Sequence, residues 1–219
     1  MNDSDLVHRI SHGPTAATAA LLLLHGRGAD ERDLVPLLDA LDPQRRFVGV
    51  TLRAPLHFGA AGYHWYISRE LGYPDPTSFL DTYARVGAWL EELPTLTGVG
   101  LEATVLGGFS QGAVMAYALA LGRGRPSPAA LIALSGFIPQ ARGFALDLPA
   151  HRDIAVAIGH GILDSVIPVE FGRTAATALR EAGLTVELHE SPIGHAIDPS
   201  FVADLAGWLP SAVELRRAA

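Results

Sequence analysis

The sequence predicts a doubly wound, mostly parallel α/β sheet built as one domain over residues 1–219. Three observations lead there. Short apolar runs alternate with longer helical patterns from end to end of the chain. Most of these runs are continuously apolar, as strands covered on both faces are, instead of alternating polar with apolar. A length of 219 residues with a 49% hydrophobic fraction suffices for one sizeable core.

The elements follow in order. Val7–Ser11 reads as an antiparallel edge strand. Ala20–His25, Phe47–Leu52, Ala103–Gly107, Ala129–Leu134, Ile154–Ile158 and Thr185–His189 read as buried strands. Between them, Glu31–Leu41, Phe79–Leu96, Gln111–Leu121 and Val169–Ala182 carry helical patterns. A last helix runs from Pro199 to about Arg216, with a bend expected at Pro210. Arg53–Thr77, rich in Gly, Pro and aromatic residues, breaks the rhythm and is too long to be an idle connection. Pro139–Arg152 is a second irregular segment; it reads as cleft wall or as surface excursion.

Composition removes several function classes. The net charge is −7, all 16 basic residues are arginine, and they form no basic stripe, which argues against nucleic acid as a partner. Arg216-Arg217 reads as a solvated helix end. There is no cysteine, so disulfides, thiolate metal sites and cysteine nucleophiles are excluded. The start, Met1-Asn2-Asp3-Ser4-Asp5, is acidic and lacks the basic opening of a secretory signal. Leu21–Leu24 is far too short to span a bilayer. The expectation is a soluble cytoplasmic protein with no membrane insertion.

Gly108-Phe109-Ser110-Gln111-Gly112 lies between a strand-like run and a helix-like one. This setting forces unusual backbone angles on the serine and presents its hydroxyl at the carboxyl end of a sheet. A serine hydroxyl is a poor nucleophile near neutral pH and needs a base within reach. Nine histidines compete. His195 follows the last strand, on the same sheet edge as Ser110. His25 and His160 also end strands, but each precedes a glycine, where an imidazole commonly orders a turn. His8, His12, His57 and His64 have no carboxylate at metal-ligand spacing, so no metal is expected.

The base needs an acid to fix its tautomer. Asp164, just past the fifth buried strand, fills that role or caps the following helix; Asp198 reads as a cap of the final helix. An oxyanion needs two donors placed in advance. The N–H of Gln111, at the start of the helix after the serine, is one. The N–H of Arg27, in His25-Gly26-Arg27-Gly28-Ala29-Asp30, is the choice for the other; the alternative for this stretch is a plain turn capped by Asp30. Phe58, Tyr63, Trp65 and Tyr66 have two uses open to them: lining a substrate pocket, or packing under their loop as a satellite core.

Together these pieces resemble the α/β-hydrolase superfamily, and within it the phospholipase/carboxylesterase family that includes acyl-protein thioesterases. The matching segments are Leu23–Asp30, Gly107–Ala113, Leu134-Ser135-Gly136, His160–Pro168 and Gly194–Ile197, in the family's order across nearly the whole chain. The resemblance implies an α/β-hydrolase fold with a short loop cap and no separate lid domain. It also implies a Ser110–His195–Asp164 triad acting on carboxylic esters without a cofactor, with Arg27 and Gln111 as the oxyanion hole. Arg27 stands where relatives commonly have a small apolar residue, which would favour polar or acidic substrates. Trp65-Tyr66-Ile67 lacks the aspartate that follows two aromatics in relatives, which favours a generic carboxylesterase over long-chain acyl or protein substrates. Acyl-thioesterase or lysophospholipase action is the alternative, and a catalytically silent hydrolase fold used for binding is a third. The expected partner is a small-molecule ester; exposed apolar loop residues are compatible with a homodimer.

Overall fold

The computed structural model of the chain describes residues 6–11 and 17–218. The acidic start Met1–Asp5, and His12, lie outside them. The first half of the chain forms β1 (His8–Ser11), β2 (Ala20–Leu24), α1 (Val35–Leu41) and β3 (Val48–Leu52). Two small hairpins follow, β4 (Leu56–His57) with β5 (Tyr63–His64) and β6 (Ser68–Glu70) with β7 (Tyr73–Pro74), and then α2 (Pro76–Thr97). The second half forms β8 (Thr104–Phe109), α3 (Gln111–Leu121), β9 (Ala130–Leu134), β10 (Ala155–Gly161), α4 (Val169–Glu181), β11 (Thr185–Ser191) and α5 (Pro199–Ala218).

Seven of the strands form one sheet in the order β1-β3-β2-β8-β9-β10-β11. All neighbours run parallel except β1, which pairs antiparallel with β3 as the sequence pattern predicts. The chain steps from β2 outward to β3, then returns to place β8 on the other side of β2. Strand order therefore reverses between β2 and β8, and in open α/β sheets a ligand crevice forms at the carboxyl ends of such a switch point. The loops leaving those two strands are the ones that contain Arg27 and Ser110.

Consecutive side chains of a strand point to opposite faces, so a continuous apolar run feeds two cores. In β2, Ala20, Leu22 and Leu24 join the core that covers α2, α3 and α4, while Leu21 and Leu23 join the core against α1 and α5. β9 and β10 divide in the same way. Every residue of α3 is buried, which explains why Gln111–Leu121 is apolar all round instead of amphipathic.

Several element boundaries differ from the sequence expectation, and three differences have a visible structural setting. α1 begins at Val35, not Glu31, because Glu31 turns inward and holds Arg53 in a two-bond ion pair at 2.5 and 2.9 Å. β10 extends to Gly161 because its parallel register with β11 continues through Gly159↔His189 and His160↔Glu190. The final helix runs unbroken through Pro210 to Ala218. The stretch Arg53–Thr77 is not structureless, since the two hairpins occupy most of it and Pro76 opens α2.

Candidate active site

Ser110 follows β8 with φ +55° and ψ −121°, a conformation that costs a non-glycine residue roughly 1–3 kcal/mol. Its N–H donates to the Leu134 carbonyl at 2.9 Å, which helps pin the turn. Both glycines of the pentapeptide are there for clearance. A Cβ on Gly108 would meet the Gly112 backbone at 2.4 Å, and one on Gly112 would meet the Leu24 carbonyl oxygen at 1.9 Å. Their absence lets α3 seat its first turn against the ends of β2 and β8.

The structure brings Ser110, His195 and Asp164 together. His195 Nε2 lies 2.9 Å from Ser110 Oγ, and His195 Nδ1 lies 2.7 Å from Asp164 Oδ2. With the carboxylate accepting from Nδ1–H, Nε2 presents a lone pair to the serine hydroxyl. Phe109 lies against the imidazole, ring centroids 4.8 Å apart. Gly161 lets the His195 loop approach β10, for a Cβ there would lie 2.3 Å from the Gly194 oxygen.

Asp164 is fully buried at its side chain, and its second oxygen is also filled: Oδ1 accepts from the N–H of Val166 and of Ile167, both at 2.8 Å. Burial alone would raise this carboxyl. The hydrogen bond from His195 and those from Ile167 and Val166 outweigh it and hold the group below its ordinary range. Asp198 lies elsewhere. It precedes the first residue of α5, accepts from the Ser200 N–H at 2.9 Å and from Ser191 Oγ, and has its carboxyl pulled well down by them.

The rival histidines have other partners. His25 Nδ1 donates to the Gly26 carbonyl at 2.7 Å and Nε2 accepts from the Ala54 N–H at 3.0 Å, so this ring ties the Arg27 loop to the end of β3. His160 is buried in β10 and donates through Nε2 to the Ile167 carbonyl at 2.8 Å. His57 and His64 belong to the β4–β5 hairpin and pack on Tyr63 and Phe58. Among the described residues, no group of three or more His, Asp or Glu side chains is placed to hold a metal ion.

A cavity of about 210 Å³ opens over Ser110, walled by Arg27, Tyr66, Ser68, Leu71, Gln111, Phe137, Val166 and their neighbours. Arg27 and Gln111 thus share the space in front of the hydroxyl. The Gln111 N–H, in the first turn of α3, has no carbonyl partner within the helix. Of the four aromatic residues proposed for the pocket, only Tyr66 lines this cavity. Trp65 is fully buried and donates from its indole to the His25 carbonyl at 2.7 Å, serving as packing beneath the loop. Tyr63 lies under the Arg53 guanidinium, 4.6 Å from its ring centroid, and Phe58 lies under that of Arg27 at 5.2 Å.

Several contributors escape a reading of the sequence. Phe137, Leu71 and Val166 come to the cavity from three separate segments and share no motif. The Gln111 side chain is the larger omission. Its Oε1 accepts from the Trp65 N–H at 3.1 Å, and its Nε2 donates to the Tyr66 carbonyl at 3.1 Å and to Ser68 Oγ at 2.9 Å. The only sequence signal was a long amide inside an otherwise apolar, buried helix.

The sheet order, the crossover helices on both faces and the residues assembled at the carboxyl edge define an α/β-hydrolase fold. A family model described as Phospholipase/Carboxylesterase matches residues 75–212, and the chain belongs to that family, which acts as hydrolases on esters and thioesters. A curated relative, acyl-protein thioesterase 1 of Candida albicans, is 27% identical over 227 aligned positions, covering 94% of this chain and 97% of the relative. The crystal structure of esterase PE8 is 30% identical with a TM-score of 0.79, covering 94% of this chain and 99% of its own. A carboxylesterase of Bacillus cereus has the same fold at 21% identity, with a TM-score of 0.83 and 95% of each chain covered.

Proposed function

We propose that the protein is a serine carboxylesterase that hydrolyses small to medium carboxylic esters through an acyl-enzyme on Ser110. The observation that carries this reading is the continuous chain Ser110 Oγ to His195 Nε2, and His195 Nδ1 to Asp164 Oδ2, at 2.9 and 2.7 Å. His195 takes the hydroxyl proton as Oγ bonds to the ester carbonyl carbon, and the oxyanion rests on the N–H groups of Arg27 and Gln111. Collapse breaks the bond to the alcohol oxygen, which leaves with the proton from His195. Water then repeats the sequence on the acyl-enzyme and releases the acid. Asp164 stays ionised throughout and steadies the imidazolium. The cavity of about 210 Å³ supports a modest acyl or alcohol group, and the likeness to an esterase at 30% identity supports ester hydrolysis.

A specific observation also favours a second reading, acyl-thioesterase or lysophospholipase action on longer chains. A larger apolar cavity of about 380 Å³, between the β6–β7 hairpin and α4, shares Leu71 with the first and is lined by Tyr73, Ile138 and Phe171. The test is a panel of matched oxygen and sulfur esters of graded acyl length, run on the wild type and on Ser110→Ala. The carboxylesterase reading expects faster turnover of short oxygen esters and at least a 10³-fold loss in the variant, with its circular dichroism unchanged. Faster turnover of long thioesters selects the second reading. Full activity in Ser110→Ala rejects both.

A further inference from the structure

His160 is the buried histidine that the proposed reaction does not use, and its surroundings give it a task. Its side chain is 0% exposed, one residue before the end of strand β10 and ahead of the loop that holds Asp164. Nε2 carries the proton and donates to the Ile167 carbonyl at 2.8 Å. The same Nε2 lies 3.7 Å from Asp164 Oδ2, the oxygen that accepts from His195. The other nitrogen, Nδ1, is buried and has no hydrogen-bond partner among the described residues. It faces α4 at Gly172, where a Cβ would stand 2.7 Å from it. Across the sheet Glu190 is in register with His160, but its carboxylate is taken by Arg173 through two hydrogen bonds of 2.7 Å.

The Asp164–Ile167 turn is therefore fastened from both sides. Its own N–H groups at Val166 and Ile167 hold Asp164 Oδ1 from within. The imidazole of His160 holds the Ile167 carbonyl from below, and the missing side chain of Gly172 gives the ring its seat. Releasing that carbonyl would loosen Ile167, the residue whose N–H grips the acid, and the acid would lose its aim at His195 Nδ1.

We propose that His160 is a positioning residue for Asp164, acting through the Asp164–Ile167 turn and seated by Gly172. The proposal rests on reading Ser110, His195 and Asp164 as a triad. The experiment compares His160→Leu, His160→Gln and Gly172→Ala with the wild type for kcat, KM, the pH profile of kcat/KM and the thermal midpoint, with Ser110→Ala in parallel. Removal of the His160 imidazole is expected to cost about 10–100-fold in activity, the range for outer-shell partners that orient metal ligands. His160→Leu is expected to lose that factor in kcat with KM nearly constant. The acid limb of kcat/KM should also move to lower pH, because a less well supported imidazolium gives up its proton more readily. His160→Gln, whose amide keeps a donor for the Ile167 carbonyl, should recover most of the loss. Gly172→Ala, whose Cβ would crowd the buried ring, should show the same loss of kcat beyond what its lowered midpoint accounts for.

A His160→Leu enzyme with wild-type kcat and an unmoved acid limb overturns the proposal. So does a loss shared equally by all three variants that follows only their thermal midpoints, for that is a merely structural role. Full activity in Ser110→Ala removes the triad reading, and this proposal with it; an inactive Ser110→Ala beside an unaffected His160→Leu removes this proposal alone.

Discussion

The side-chain amide of Gln111 donates to Ser68 Oγ at 2.9 Å, joining the first residue of α3 to the first strand of the second hairpin. Two further bonds from the same amide reach the main chain at Trp65 and Tyr66. One wall of the cavity is thereby fixed to the residue that follows the serine. Gln111→Ala leaves the buried main-chain groups of Trp65 and Tyr66 without these partners, at an expected cost of about 2 kcal/mol in stability. With the wall released, kcat/KM should fall about 10-fold, mostly through KM. Chemical denaturation and steady-state kinetics read the two effects; an unchanged midpoint and KM would show that the clamp is not needed.

Gly112 is the tightest of these approaches, with the Leu24 carbonyl oxygen standing 1.9 Å from where a Cβ would be. The obstacle is backbone on a central strand and cannot rotate away. Gly112→Ala should push α3 off the sheet and destabilise the protein by about 3 kcal/mol, the upper end of overpacking costs. Urea unfolding decides it. A midpoint within error of the wild type would mean that the helix has room to shift.

Burial lowers the His25 imidazole from its usual value of 6.5, and the opposing pull of the Gly26 carbonyl and of Asp33, Asp30 and Glu31 does not make up the difference. The folded chain then binds a proton here less readily than the unfolded chain. The contribution of His25 to stability is complete above pH 6.5, declines as the unfolded chain protonates below it, and is lost once the pH passes the lower folded value. Thermal midpoints should fall between pH 7.5 and pH 5, and less steeply in His25→Asn. Equal slopes for the two proteins would count against this account.

The parts of this architecture that were legible in the sequence share a cause. Buried parallel strands need apolar residues on both faces, so Ala20–Leu24 and Ala130–Leu134 stand out as continuous runs. The turn at Ser110 demands small neighbours, so Gly108 and Gly112 mark it. His195 and Asp164 could be placed because each follows a legible strand. What was not legible depends on contacts between distant segments. Glu31 looks like a first-turn helix residue until Arg53 is in place beside it. The strands of the β4–β5 and β6–β7 hairpins are two or three residues long and leave no period to read. Trp65 and Tyr66 are adjacent, but only Tyr66 meets the cavity, a matter of which way the short link between the two hairpins runs.

The strand polarity that gathers Ser110, Asp164 and His195 at one rim also sets the character of the opposite rim. The turns entering β8, β9 and β11 lie there and include Gly98, Gly124 and Gly183, each exposed, each at positive φ, and each with open space where a side chain would stand. None of these glycines helps wall the cavity over Ser110. The molecule has a working end and a spare end. Grafted loops, affinity tags or new chain termini made by circular permutation belong at the spare end, where the chain can be lengthened or cut without crossing the path of a substrate.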